Sequence, residues 1–219
     1  MILGIYGSGG AGRTVKEAAN EINKWSELVF IDDTVSYDEF HGIKRMSFEN
    51  FQKNFTNQTA EIVISLGEPQ YRSKLYEKVK ASGFSLTNVI HKNAWISPSA
   101  AIGKGVVFLY GAVVNADAVI EDNVVISEFS CVGHDTVVKK HCQIAGGVVI
   151  GGNSTINQCT YIGMNASIRE QIEIGSDSII GMGAAVVSDI PHHSIAMGVP
   201  AKVIKKRSNE TVFKKRSGE

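Results

Sequence analysis

Residues 126–150 read ISEFSCVGHDTVVKKHCQIAGGVVI, and an apolar residue falls at every sixth place: Ile126, Val132, Val138, Ile144 and Ile150. The series continues without a break from Ile90 to Val186, 17 positions in all, each aliphatic except Phe108. A period of six fits neither the α-helix nor the coiled coil. Simple strand alternation would not single out every sixth residue either. Six residues can instead form one short strand and one corner. Three such units close a triangular coil of about 18 residues, and stacked coils pair as parallel strands. The expectation is a parallel β-helix over residues 90–190, with one large aliphatic per hexad pointing into a shared core.

The neighbouring positions agree. Two residues before the aliphatic, small side chains prevail, as at Ala112, Ala118, Ser130, Thr136, Cys142, Ser154, Thr160 and Ala184. They suit the narrow interior beside a corner. Glycine recurs just after it, at Gly103, Gly133, Gly151, Gly163, Gly175 and Gly181. There, with Asn or Asp nearby, it is expected to admit the positive φ of a sharp turn. A β-helix has two open ends. The domain before the repeat is expected to cover one, and Asp189-Ile190-Pro191 to release the chain from the coil, leaving 191–219 as a C-terminal extension.

Residues 1–89 carry a different pattern. Apolar stretches at 2–6, 28–31 and 61–67 read as buried strands, with helices near 13–24 and 70–82, so strand and helix alternate as in a small Rossmann-like βαβ sheet. Gly7, Gly9 and Gly12 form a GxGxxG loop between the first strand and its helix, with Asp32 twenty residues beyond Gly12. That spacing suits a dinucleotide cofactor. Fewer than 90 residues precede the repeat, however, room for about one mononucleotide-binding half. The same loop can offer backbone N–H groups to the phosphates of a nucleotide-linked substrate, or be a tight turn without a ligand.

Charge and composition exclude some partners. Lys+Arg and Asp+Glu number 22 each, giving no electrostatic reason to expect nucleic acid or an anionic membrane. No apolar run approaches the ~20 residues of a membrane span, and the N-terminus lacks the marks of a signal peptide. Cys131, Cys142 and Cys159 have no CxxC spacing, which suits a reducing cytoplasm and argues against disulfides or zinc. The basic groups Lys205-Lys206-Arg207 and Lys214-Lys215-Arg216 read as a solvated tail.

Of the six histidines, His134 alone sits inside the repeat with a carboxylate beside it. It follows Val132-Gly133, at a corner where side chains can point outward. Asp135 could hydrogen-bond the imidazole, orient it and stabilise its protonated form. His141, after Lys139-Lys140, reads as an exposed corner, and His192 and His193 as part of a solvated exit loop.

The motifs YGSGGAG (6–12), IDD (31–33), SLGEPQYR (65–72), GHD (133–135) and GVPAK (198–202), in this order on a hexad repeat, closely resemble the hexapeptide acyltransferases of the sialic acid O-acetyltransferase and UDP-bacillosamine N-acetyltransferase family. The resemblance implies a left-handed β-helix, a homotrimer, and acetyl-CoA lying between neighbouring helices. It implies His134 as general base and Asp135 as the group raising its basicity. Gly9, Gly10 and Ala11 would line the substrate site, Asp32 and Asp33 would bind the nucleotide's polar groups, and Gly67 would lie beside them. Backbone amides of Gly152, Met164 and Met182 would serve coenzyme and thioester. On charge alone, and not from the resemblance, Lys202, Lys205 and Lys206 are candidates to meet coenzyme phosphates. Many relatives carry a second His nine residues after the base, next to acetyl-CoA; here that position is Gln143, which can donate a hydrogen bond but cannot be charged. The leading expectation is an N-acetyltransferase acting on a nucleotide-linked 4-amino sugar, without a metal. The rivals are O-acetylation of sialic acid and a non-catalytic nucleotide-sugar-binding scaffold.

Overall fold

A computed structural model describes residues 1–35, 37–208 and 211–212. Its first part is a six-stranded sheet in the order β3-β4-β2-β1-β5-β6, formed by β1 (Ile2–Tyr6), β2 (Glu27–Ile31), β3 (Tyr37–Phe40), β4 (Ile43–Met46), β5 (Ala60–Ile64) and β6 (Ser85–Leu86). All pairs are parallel except the β3–β4 hairpin. The helices are α1 (Gly10–Ile22), α2 (Phe48–Asn54) and α3 (Pro69–Ala81). The hairpin and α2 escape the sequence reading. The hairpin turns on His41 and Gly42, both at positive φ, a weaker signal than Asn-Gly. Helix α2 starts behind Ser47, whose side chain accepts from Asn50 N.

From Val89 to Val186 the chain winds through 17 two-residue strands, one per hexad, each paired in parallel with the strand 18 residues away. They form three faces. Face 1 holds Val125–Ile126 and Gln143–Ile144, face 2 holds Cys131–Val132 and Val149–Ile150, and face 3 holds Val137–Val138 and Thr155–Ile156. The periodic aliphatics from Phe108 to Val186 are buried in one continuous core with the small residues two places before them. Ile90, Ile96 and Ile102 of the first coil are only partly buried.

The turn chemistry differs from expectation. The positive φ falls three residues after the aliphatic, at Asp117, Asn123, Asp135, Asn153, Asn165 and Asp177 among others. The recurrent glycine just after the aliphatic answers a different need, because the next coil approaches too closely for a side chain. A Cβ on Gly133 would lie 2.5 Å from Gly152 N, and one on Gly151 2.4 Å from Glu170 N.

Two further expectations are corrected. The N-terminal domain does not cap the open first coil but packs sideways on face 1. Helix α1, through Val15 and Ala18, shares a core with Leu3 and Ile5 of the sheet and with the outward-pointing Val89, Val107 and Val125. Nor does the coil end at Asp189-Ile190-Pro191. Ile190 still bridges to Ile174, and strand Ser194–Met197 extends face 1 beneath Ile179–Ile180 before strand Lys202–Lys206 folds back on it antiparallel. Ala196 and Ala201 close the far end of the core.

Candidate active site

His134 and Asp135 form the corner between faces 2 and 3. Asp135 takes the left-handed turn position, at φ 55°, a conformation Asp tolerates better than most side chains. His134 Nδ1 lies 2.7 Å from Asp135 Oδ2. The carboxylate accepts only, so Nδ1 carries a hydrogen, and in the neutral imidazole the lone pair lies on Nε2. The imidazole is largely exposed and lies against Gly152, one coil further on. A Cβ on Gly152 would sit 2.6 Å from His134 Nε2. The backbone N–H groups of Gly152, Met164 and Met182 pair with no backbone carbonyl among the described residues.

The glycine loop is built for close approach. Gly7 is at φ 115°, and a Cβ on Gly12 would meet Gly7 O at 1.9 Å. A Cβ on Gly9 would meet nothing within 4 Å, and one on Gly10 only the Arg13 guanidinium at 4.0 Å, so the start of α1 is open to close approach. A cleft of 290 Å³ beside it is lined by Gly9, Asp32, Asp33, Thr34 and Leu66. Asp32 accepts from Thr34 N at 3.0 Å, Thr34 Oγ1 at 2.7 Å and Ser8 Oγ. Burial raises its proton affinity, but the Ser8 and Thr34 hydrogen bonds outweigh it and hold the carboxyl below its usual range. Asp33 has several partners of its own: Tyr6 Oη at 2.5 Å, Lys78 Nζ at 2.7 Å and Phe48 N at 2.9 Å. Against the push of burial, Lys78 and Tyr6 hold this carboxyl low as well.

A second cleft of 310 Å³ adjoins the first through Leu66 and lies between the N-terminal domain and face 1. Ala11, Gly67, Ser127, Gln143 and Met164 line it. Of the anticipated site residues, then, Gly9, Asp32 and Asp33 meet in one cleft and Ala11, Gly67, Gln143 and Met164 in its neighbour. Gly10 lies at the exposed start of α1, and Met182 is exposed on the same corner as Met164. His134, Asp135 and Gly152 lie elsewhere. Their corner, between faces 2 and 3, is the one opposite face 1, so a single chain does not bring the histidine to the clefts.

Several side chains depart from the sequence reading. His141 is buried rather than exposed, between Tyr76 at 5.1 Å (ring centroids) and Asn123 Nδ2 at 2.9 Å. Burial and the nearby Arg72 guanidinium push its pKa down to about 4. Lys205 and Lys206 are exposed, but Arg207 is no tail residue: its side chain is buried, 3.0 Å from Glu68 and 2.9 Å from Asp177. Lys202 is exposed; Lys214, Lys215 and Arg216 lie outside the described residues. His192 and His193 are exposed, as expected. Arg72, within the SLGEPQYR motif but given no role there, is fully buried and bonds across the domain junction. Among the described residues no cluster of His, Cys, Asp or Glu could hold a metal, and no helix is long and apolar enough to cross a membrane.

Residues 3–79 match the family model described as the PglD N-terminal domain. Solved structures resemble nearly the whole chain. The acetyltransferase domain of PglB from Neisseria gonorrhoeae, in complex with acetyl coenzyme A, is 32% identical with a TM-score of 0.89, covering 93% of this chain and 98% of that one. PerB from Caulobacter crescentus, in complex with CoA and GDP-perosamine, is 29% identical with a TM-score of 0.85, covering 94% and 98%. WeeI from Acinetobacter baumannii is 26% identical with a TM-score of 0.88, covering 93% and 100%. The chain belongs to the PglD-like family of hexapeptide-repeat acyltransferases, whose β-helix is left-handed. It is an acyltransferase.

Proposed function

We propose that this protein transfers the acetyl group of acetyl-CoA to the amino group of a nucleotide-linked amino sugar, in a homotrimer whose neighbouring chains share each site. The observation that carries the reading is the His134–Asp135 pair at 2.7 Å, with Nε2 above Gly152. A base with one nitrogen anchored and the other turned outward suits proton removal from an attacking amine. The PerB relative, crystallised with CoA and GDP-perosamine, supports the choice of donor and acceptor.

Residues 1–89 hold the nucleotide sugar along the two adjoining clefts, residues 90–190 supply the catalytic corner, and Arg207 beyond them braces the junction through Glu68 and Asp177. His134 lies opposite its own clefts, so a neighbour's histidine serves each substrate. In the reaction the sugar nitrogen attacks the thioester carbonyl, forming the C–N bond. The nitrogen's proton passes to His134 Nε2 while Asp135 balances the charge on the ring. Backbone N–H groups at Gly152, Met164 and Met182 stabilise coenzyme and developing oxyanion, a role their lack of backbone carbonyl partners among the described residues supports. The C–S bond then breaks, and the thiolate leaves as CoA–SH after taking a proton from the imidazolium.

Incubation with acetyl-CoA and a panel of UDP-, GDP- and dTDP-linked amino sugars is expected to release one free thiol per acetylated sugar, with an alkali-stable amide as product. An alkali-labile ester would instead mark O-acetylation, and no thiol release across the panel would overturn the reading.

A further inference from the structure

Arg72 is buried to 0% exposure and no carboxylate is among its hydrogen-bond partners. All five of its N–H groups are nevertheless used. Nε donates to Asn123 O at 3.1 Å, Nη1 to Leu66 O at 2.6 Å and Gln143 Oε1 at 3.0 Å, and Nη2 to the carbonyls of His141 and Cys142, each at 2.8 Å. Four of the five acceptors are backbone carbonyls, one in the cleft loop of the N-terminal domain and three in the coil. The only side chain among them is Gln143, which lines the 310 Å³ cleft.

A guanidinium has donors and no acceptor. It therefore fixes which end of the Gln143 amide it faces: the oxygen must point to Arg72 and the NH₂ away from it. The NH₂ then points toward Ser127, to whose Oγ one hydrogen is donated at 3.3 Å. Ser127 is itself a wall of the cleft. The second amide hydrogen is donated to no described residue. Gln143 also sits on a strand paired on both sides, with Val125 and Tyr161, which fixes its backbone and leaves the amide to be oriented by Arg72 and Ser127.

We propose that Arg72 is a positioning residue that holds the Gln143 amide with its N–H directed into the cleft, as a hydrogen-bond donor to an oxygen of the bound ligand. The oxygen is the thioester carbonyl of the acyl donor or a sugar oxygen of the acceptor. Either is a neutral acceptor served by a neutral donor in a cleft walled largely by apolar groups, where such a bond is worth more than in water. The inference rests on the acetyl-transfer reading and deepens it by assigning a donor to this cleft.

Gln143→Glu tests it. The substitution keeps the shape, gives Arg72 a carboxylate, and replaces the N–H by an acceptor. A purely structural role predicts unchanged or better function with a raised Tm. The positioning role predicts a kcat/KM about 100-fold lower, the usual loss for one preorganised donor, while Tm is held or raised. A fall in kcat or a rise in KM for acetyl-CoA assigns the oxygen to the thioester. A rise confined to KM for the nucleotide sugar assigns it to the sugar. Gln143→His should recover about tenfold over Gln143→Leu, since a neutral imidazole can accept from Arg72 and donate into the cleft.

The role of Arg72 is read by a double-mutant cycle. Arg72→Lys should lower kcat/KM about tenfold in the wild-type background and less than about twofold in Gln143→Leu, where no amide remains to be oriented. Equal losses in both backgrounds, or a Gln143→Glu enzyme as efficient as wild type, overturn the inference and leave the acetyl-transfer reading standing. A wild-type chain that transfers no acetyl group overturns both.

Discussion

Gly152 shows how much of the candidate site depends on a missing side chain. Its φ is not in the left-handed region, so alanine fits the backbone there. The new Cβ, however, would lie 2.6 Å from His134 Nε2, and the imidazole would have to swing off its corner. Gly152→Ala is expected to leave Tm near the wild-type value and to lower kcat about 100-fold, the scale of a 1 Å misplacement of a reacting group. Steady-state kinetics beside thermal melting check this.

His141 makes a prediction of another kind. The unfolded chain takes up a proton at this residue near pH 6.5, the folded chain only near pH 4. Between those values the unfolded state binds more protons, so stability falls as pH falls through this window. Arg72 and Lys140 oppose the charged imidazole, and Glu77 and Asp122 favour it without prevailing. Melting temperature should decline from pH 7 to pH 4.5, and His141→Gln should flatten that decline; an unchanged slope would show that His141 is not its source. At this scale His134 was legible because a carboxylate stood beside it in sequence. Arg72 was not, since four of its five acceptors are backbone carbonyls and the fifth, Gln143, lies 71 residues on, brought near only by the fold.

At the scale of elements, the hexad repeat announces itself because each coil uses the same few side chains for the same reasons. The strand positions follow from the aliphatics alone. Turn chemistry was half legible. Asn and Asp near the corners did mark positive φ, while the glycines mark close approach between coils, which depends on the stacking of neighbours. The side of the coil that carries the N-terminal domain was not legible: Val89, Val107 and Val125 are covered by it, but outward Val119 and Val149 on the other faces are exposed, so an outward valine does not by itself mark a covered face.

The C-terminal segment was the least legible element, because its anchor is a long-range ion pair. Arg207 meets Glu68 and Asp177, while Gln70 and His193 also bond Asp177. This ties the last coil to the loop that leads into α3. Arg207→Ala leaves the Glu68 carboxylate buried without that partner and should cost about 3–5 kcal/mol of stability, read from urea unfolding. A loss under about 0.5 kcal/mol would mean that the pair behaves like an exposed one.

For the molecule as a whole, the decisive relation is between the N-terminal domain on face 1 and His134 on the opposite corner. A site needing both must draw them from different chains. His134→Ala and Asp32→Asn should each be impaired alone. Co-expressed in equal amounts, they should regain activity at about a quarter of the subunit junctions, those pairing an intact His134 with an intact Asp32 across a closed ring. Activity no greater than the sum of the two parents would place the whole site within one chain.

The most direct test of the central claim is coenzyme A release by wild type and His134→Ala, measured with a thiol reagent against nucleotide-linked amino sugars. Turnover is expected of the wild type, and a rate about 10²–10⁴-fold lower of His134→Ala, the usual contribution of a general base, with folding retained. Release by the variant at the wild-type rate, or none by either protein, would contradict that claim.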